Sequence, residues 1–243
     1  MNKILSIIIL GFLSINITVA EEVLTLPIYV HIVEIDENIK QTQYEVDSND
    51  KITSSSIETV PYKTLVTKEI IKKDFVKINK IWSQANIRFH IRDINFTKSE
   101  TKNFKKYSEL AFKNYDNYSY IDSSLRHLLE IIDHKKYDND RGINAYYVPT
   151  MLADICGAWD NNNNIMIIGY SEEKKFNPNV KLFGKCDRVE TLAHEFGHTV
   201  QLDHSDISQN LMMSTGLDVD MGTNLTKEQI TEARKFMKKV LGL

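Results

Sequence analysis

The stretch 194–204, HEFGHTVQLDH, decides how the rest of this chain is interpreted. His194 and His198 are four residues apart, so on a helix they lie on one face, one turn from each other, at about 100° per residue. Two imidazoles placed in this way can bind one Zn²⁺ at about 2.0–2.1 Å. Glu195 projects from the adjacent side of the same turn, where it can act as a general base on a water at the metal without being a ligand.

His204 is the candidate third ligand. It follows His198 by six residues, so in a continuous helix it would lie about 120° around the axis from the other two histidines. It completes the site only if the chain turns between them. Three histidines leave a fourth position open for water, which is typical of catalytic rather than closed structural zinc sites. In a chain with seven histidines, a chance match is on the order of 1%, which disfavours a structural helix with surface histidines.

This stretch resembles the zinc motif of the metzincin clan, H-E-x-x-H-x-x-G-x-x-H followed by a Met-turn. The second part of the motif is matched by Asn210-Leu211-Met212, shortly after His204. The resemblance implies that Met212 is the Met-turn residue, a hydrophobic support beneath the zinc and not a ligand. The adjacent Met213 fits this role less well.

The same resemblance implies an α+β fold and a single catalytic domain over 21–243. A twisted, mixed five-stranded sheet, with a backing helix and the active-site helix, would form an upper subdomain of about 23–200. A small lower subdomain, about 201–243, would end in a terminal helix. Ser205 and the closing helix with Gln229 resemble the matrixin branch of the clan.

One residue departs from the motif: Gln201 stands where the clan has glycine. That glycine allows the left-handed backbone at which the helix ends, and glutamine in the same conformation costs roughly 1–2 kcal/mol. If His204 is a ligand, we expect the helix to end near Gln201, with Gln201 or Asp203 in a strained or left-handed conformation. The alternative is a helix that runs on and leaves His204 pointing away.

Hydrophobic periodicity predicts the other elements. The polar stretch 36–61 is predicted to be a long loop or a hairpin insertion, and the strand at 153–159 is, by the resemblance, the edge along which substrate would extend. No domain boundary or internal repeat is evident. The predicted strands lie at 24–35, 87–92, 142–148, 153–159 and 165–169, and the predicted helices at 67–85, 119–133, 188–201 and 226–241.

Composition and charge exclude several classes of protein. With 42% hydrophobic and 26% charged residues among 243, the chain is typical of a globular protein and not of a disordered, collagen-like or polytopic membrane protein. The formal net charge of −3 provides no strong basic field. Nucleic acid is therefore not expected as a partner.

Residues 1–20 have the three-part pattern of a secretory signal peptide, with cleavage after Ala20. Lys3 provides the positive start, an apolar run comes next, and Thr18-Val19-Ala20 provides small residues before the cleavage point. The alternative is a membrane anchor, but polar residues such as Asn16 dilute the apolar stretch. We therefore expect a secreted or periplasmic protein with no stable membrane insertion after cleavage.

Cysteine and acidic residues give weaker predictions. An exported chain with two cysteines, Cys156 and Cys186, is expected to form one disulfide, with two buried free thiols as the alternative. This bridge would connect the edge strand to the entry of the active-site helix.

The clusters Asp138-Asn139-Asp140 and 160–164 carry oxygen ligands of the type that Ca²⁺ takes, but such clusters are more typical of solvated turns. Calcium is therefore unsupported.

Taken together, the residues and the resemblance predict a secreted, zinc-dependent endopeptidase that acts on protein or peptide substrates, with Glu195 as general base. One alternative is a non-catalytic binding module on the same fold, for which the loss of Glu195 or a ligand would be the signature. The other is the catalytic subunit of a multi-chain toxin, which would need a partner chain for delivery.

Overall fold

The order of helices and strands is that of an α+β protein. The computed structural model describes residues 21–34, 36–46, 52–63, 66–98, 142–148, 157–160, 165–169, 188–213 and 222–243. Its elements are β1 (Leu24–Glu34), β2 (Asp36–Val46), β3 (Ile52–Lys63), α1 (Lys68–Trp82), a 3₁₀ turn (Ser83–Ala85), β4 (Ile87–Lys98), β5 (Ile143–Val148), β6 (Gly157–Asp160), β7 (Ile165–Gly169), α2 (Arg188–Thr199) and α3 (Lys227–Leu241).

The main sheet has five strands in the order β4-β1-β5-β7-β6. β4, β1, β5 and β7 run parallel to one another, and β6 runs antiparallel to β7 at one edge. The predicted α+β fold is therefore confirmed, and the described strands of the main sheet form a mixed sheet. β1 is an interior strand whose second half is covered on both faces: Ile32 and Val33, which point to opposite faces, are both fully buried.

Helix α1 is the backing helix that the sequence predicts. Its N-cap is Thr67, whose hydroxyl accepts a hydrogen bond from the Ile70 N–H at 3.3 Å. Its apolar stripe is buried against the sheet and α2, and the indole N–H of Trp82 donates to the carbonyl of Ala193 at 3.1 Å. Phe89 of β4 stacks on Phe196 of α2, with ring centroids 4.0 Å apart. Helix α2 is thus fixed from two sides by the core.

The polar stretch 36–61 is a hairpin and not a loop. β2 and β3 pair antiparallel over almost their full lengths and form a separate two-stranded sheet. β3 carries Thr, Val and Ile at several positions, and β-branched residues favour an extended backbone even without an apolar stripe. A polar two-stranded sheet has no hydrophobic periodicity. The sequence alone therefore does not distinguish a long loop from a hairpin here.

The C-terminal helix α3 begins as predicted. Thr226 and Gln229 form a reciprocal capping box at its N-terminus. Arg234, 5% exposed, donates from α3 to the carbonyls of Ala85 at 2.8 Å and Glu22 at 3.1 Å. The helix is thereby attached to the turn before β4 and to the segment that leads into β1.

Several predictions lie outside the described residues: the segment 1–20, the helix at 119–133, the cluster 138–140, most of the loop 160–164, and the two cysteines Cys156 and Cys186. Of the predicted strand at 153–159, the structure describes only the last part, within β6. Among the described residues, no helix combines the length and the apolar character that crossing a membrane requires.

Candidate metal centre

Helix α2 presents the first two histidines and the glutamate. His194 and Glu195 are each 7% exposed, whereas His198 is half-buried. The helix is secured at its start by Arg188, whose guanidinium donates to the buried carboxylate of Asp74 in α1, with Nη2 to Oδ1 at 2.8 Å. The entry of the active-site helix is therefore tied to the backing helix by a paired charge.

The chain turns toward the third histidine at Gln201, which has φ = 66°. The N–H of Leu202 donates to the carbonyl of Gly197 at 2.9 Å, and the N–H of Gln201 donates to the carbonyl of His198 at 3.0 Å. These are the two hydrogen bonds of a Schellman motif, which ends a helix at a left-handed residue. Helix α2 stops at Thr199, two residues before the predicted end, and Gln201 has the left-handed conformation expected if His204 is to reach the site.

The ring nitrogens of the three histidines converge. The Nε2 atom of His198 lies 3.1 Å from that of His194 and 3.2 Å from that of His204. Ligands on a tetrahedral Zn²⁺ at about 2.0–2.1 Å would be separated by roughly 3.3–3.4 Å. The three side chains are thus already close to the spacing that one metal ion requires, and they form the one such group found among the described residues.

Backbone carbonyls fix which nitrogen of each helical histidine carries the hydrogen. Nδ1 of His194 is 2.8 Å from the carbonyl of Leu211, and Nδ1 of His198 is 2.8 Å from the carbonyl of Leu202. A carbonyl only accepts, so each Nδ1–H donates and each Nε2 keeps its lone pair. Two lone pairs facing each other at 3.1 Å repel unless a cation lies between them, so the donor set fits a metal.

Burial controls the charges at this site. It lowers the pKa of His194 to about 4 and also lowers that of His198, so both imidazoles are neutral and able to ligate at pH 7. Burial raises the pKa of Glu195 to about 8. A divalent cation among the histidines would favour the ionised carboxylate, because an opposite charge nearby stabilises the charged form.

An open cleft of about 330 Å³ runs along the three histidines and Glu195, and its opposite wall is part of β6. That wall consists of Gly157, Ala158 and Trp159. The Trp159 ring is nearly parallel to that of His198, with centroids 6.4 Å apart. The described part of the predicted substrate strand therefore lies at the edge of the described sheet and beside the histidines.

Met212 is fully buried against α2, whereas Met213 is half-buried. Met212 lies against the backbone of Gly197, between the two helical histidines, and its role as the Met-turn residue stays a prediction. The site also includes a residue outside the histidine motif, Gly157. A Cβ at Gly157 would lie 3.0 Å from Cγ of Glu195. A glycine within a strand is the signal in the sequence that can indicate such a close approach.

Comparison with known proteins agrees with this geometry. Residues 69–205, from the start of α1 to just past His204, match the family described as metallo-peptidase family M12B, reprolysin-like. No curated protein matches the sequence. Among solved structures, archaemetzincin from Methanopyrus kandleri is similar with a TM-score of 0.50 and 10% identity, over 88% of this chain and 96% of that one.

Metalloproteinase-II from Bacteroides fragilis is similar with a TM-score of 0.43 and 13% identity, over 89% of this chain and 55% of that one. At 10% identity the likeness to archaemetzincin concerns the fold alone. The family match, in contrast, covers more than half of the chain, including α1, β4 and the whole histidine motif. The chain therefore belongs to the reprolysin-like metallopeptidases of family M12B, which confirms the resemblance to the metzincin clan.

Proposed function

We propose that this zinc metallopeptidase is an exported endopeptidase in which His194, His198 and His204 hold Zn²⁺ and Glu195 is the general base. The observation that carries the proposal is the convergence of the three Nε2 atoms at an open cleft, where that of His198 lies 3.1 Å from that of His194 and 3.2 Å from that of His204. Neutral imidazoles are ligands that Zn²⁺ favours, and three of them leave a position open.

When bound, Zn²⁺ would supply a Lewis acid that acidifies water and polarises the scissile carbonyl. Glu195 lies on the same helical turn as His194 and His198, and it lines the same cleft as all three histidines. Its carboxylate would take the proton of the attacking water and pass it to the leaving amine. Burial raises the pKa of Glu195 in the metal-free site, and a bound cation would lower it again toward the working pH, where a base both accepts and returns a proton readily.

The substrate class is inferred from the wall of the cleft. β6 is the edge strand of the main sheet and pairs with β7 on one side only, among the described strands. An extended peptide can add to such an edge through main-chain hydrogen bonds. Gly157 and Ala158 are small, so they leave room for a second backbone beside the histidines. An internal stretch of polypeptide is therefore the substrate that we propose.

Export is proposed from the sequence alone, on the signal-peptide pattern of 1–20. The disulfide between Cys156 and Cys186 belongs to the same proposal, since it would form only in an oxidising compartment. A non-catalytic module on this fold is disfavoured because Glu195 and all three histidines are retained and face one cleft.

The test is metal analysis of the purified exported chain combined with cleavage of a peptide library. We expect about one zinc per chain, cleavage within peptides and not only at their ends, loss of cleavage with a chelator, and recovery on adding Zn²⁺. Folded protein that takes up no zinc, or that cleaves equally well with chelator, would contradict the proposal. A second polypeptide that co-purifies and is needed for delivery would instead point to a toxin subunit.

A further inference from the structure

Behind the zinc-binding histidines, one peptide group is held at both of its ends. It is the peptide that joins Leu211 to Met212. Its carbonyl accepts the hydrogen bond from Nδ1 of His194 at 2.8 Å, and its N–H donates to Oδ1 of Asn210 at 2.8 Å. The peptide group is planar and its C=O and N–H point in opposite directions, so an oxygen that fixes the N–H also fixes the direction of the carbonyl.

The Asn210 side chain is itself fixed from the C-terminal helix. Its Nδ2 donates to Oε1 of Gln229 at 2.8 Å, and its Oδ1 accepts from Nε2 of Gln229 at 3.1 Å. Gln229 is in turn held by the capping box of α3, where its Oε1 accepts from the N–H of Thr226 at 2.9 Å. Asn210 is 2% exposed, so these partners replace the water that the amide would otherwise bind.

We propose that Asn210, held by Gln229, is a positioning residue of the metal site. It orients the Leu211–Met212 peptide so that the carbonyl of Leu211 holds the ring of His194 with Nε2 toward the metal. The inference rests on the proposed zinc function. Hydrogen bonds of this kind set the tautomer and direction of a ligand histidine, and their loss weakens metal binding by about 10–100-fold.

The competing interpretation is that Asn210 only stabilises its turn. An asparagine that accepts from the N–H two residues later forms an Asx turn, which needs no connection to a metal. The two interpretations predict different effects of removing the amide. A turn residue would change the stability of the folded chain alone, whereas a positioning residue would also change how His194 binds zinc.

The experiment measures the zinc dissociation constant of the purified exported chain by competition with a chelator, for Asn210→Ala, Asn210→Asp and Thr67→Ala. Thr67→Ala is the matched control, because it removes a helix N-cap from α1 and so lowers stability without touching the path to His194. We expect Asn210→Ala to raise the zinc dissociation constant about tenfold. Asn210→Asp keeps an oxygen for the Met212 N–H, so its zinc dissociation constant should return most of the way to the wild-type value. Thr67→Ala should leave the zinc dissociation constant unchanged.

A second readout reports on His194 directly. In the zinc-free chain, the Nδ1–H resonance of His194 should be protected from exchange with water, and Asn210→Ala should make this exchange faster. If Asn210→Ala does not fold, Gln229→Met replaces it, because methionine keeps the length of the side chain but removes both hydrogen bonds to Asn210, and Thr67→Ala again controls for the lost capping. An unchanged zinc dissociation constant in the Asn210 or Gln229 variant, or an equal rise in Thr67→Ala, would overturn the inference. A wild-type chain that takes up no zinc would instead reject the proposed function.

Discussion

Met212 packs directly on the backbone of Gly197: a Cβ placed on Gly197 would lie 2.1 Å from Sδ of Met212 and 2.8 Å from its Cε. Gly197 is in α2, between the two helical histidines, and Met212 is fully buried. Met212 and α2 thus approach each other more closely than any side chain at position 197 would allow.

Gly197→Ala should destabilise the protein although alanine favours helices. The propensity gain is about 1 kcal/mol, but overpacking against Met212 costs about 1–3 kcal/mol. Met212→Ala leaves a cavity and should cost about 2–5 kcal/mol by itself. In the double variant the alanine at 212 no longer clashes with the alanine at 197. The double variant should therefore lose less free energy of unfolding than the two single variants lose together. Denaturant unfolding of the four proteins measures this coupling, and strict additivity would show that the contact is unimportant.

Gln201→Gly should stabilise the protein by about 1 kcal/mol, because Gln201 has a left-handed φ that glycine adopts without strain. Lys235→Gly is the control, because it introduces glycine at an exposed position in the middle of α3. There, glycine should cost about 1 kcal/mol. Melting curves of the zinc-loaded proteins make the comparison. If both variants lose stability equally, Gln201 bears no strain in solution.

Glu195→Gln should abolish most turnover while zinc remains bound. The carboxylate is buried beside the cleft and is not one of the three converging ligands. Loss of a general base lowers the rate by about 10²–10⁴-fold. Zinc content by elemental analysis and peptide cleavage should be measured on the same preparation. Turnover close to that of the wild type would assign the base to another residue.

Gly157→Ala should impair catalysis more than folding. The added Cβ would lie 2.9 Å from Cγ2 of Thr191 and 3.0 Å from Cγ of Glu195, so it would displace the carboxylate. Gly142→Ala is the control, because its Cβ would meet the carbonyl oxygen of Pro27 at 2.5 Å. The control should lower the melting temperature but keep kcat per folded molecule. We expect the kcat of Gly157→Ala to fall with zinc still bound, and equal kcat values in the two variants would contradict this.

Cys156 and Cys186 should be joined in the exported protein, which would stabilise it by about 3 kcal/mol for a loop of this length. Intact mass after alkylation, with and without prior reduction, determines their state. Alkylation of both thiols without reduction would rule the bridge out. Alkylation in denaturant is needed as well, so that buried thiols are not mistaken for a disulfide.

Local patterns predicted those parts of the molecule that depend on neighbouring residues. The spacing of His194 and His198 indicates a shared helix face, and Thr226 with Gln229 indicates where the last helix begins. Both features need only a few residues of sequence. The left-handed turn was also predictable, since the resemblance identified Gln201 as the place where a glycine is expected.

Contacts between distant segments could not be predicted in this way. Gly157 and Glu195 meet because an edge strand packs on a helix, and nothing near either residue indicates the other. The same is true of Asn210 and Gln229, which the periodicity of α3 does not connect. The residues of each pair are far apart in the sequence and meet only when the whole chain has folded.

The three histidines lie within 194–204, so the metal site spans only a short piece of chain. Closing so short a loop costs little entropy, which means that the denatured chain can also bind zinc. A ligand that binds both states stabilises the folded one only by the difference in affinity. The carbonyls of Leu202 and Leu211 orient the rings only after folding, so they provide that difference. Zinc should therefore raise the melting temperature less than its affinity for the folded enzyme alone would suggest.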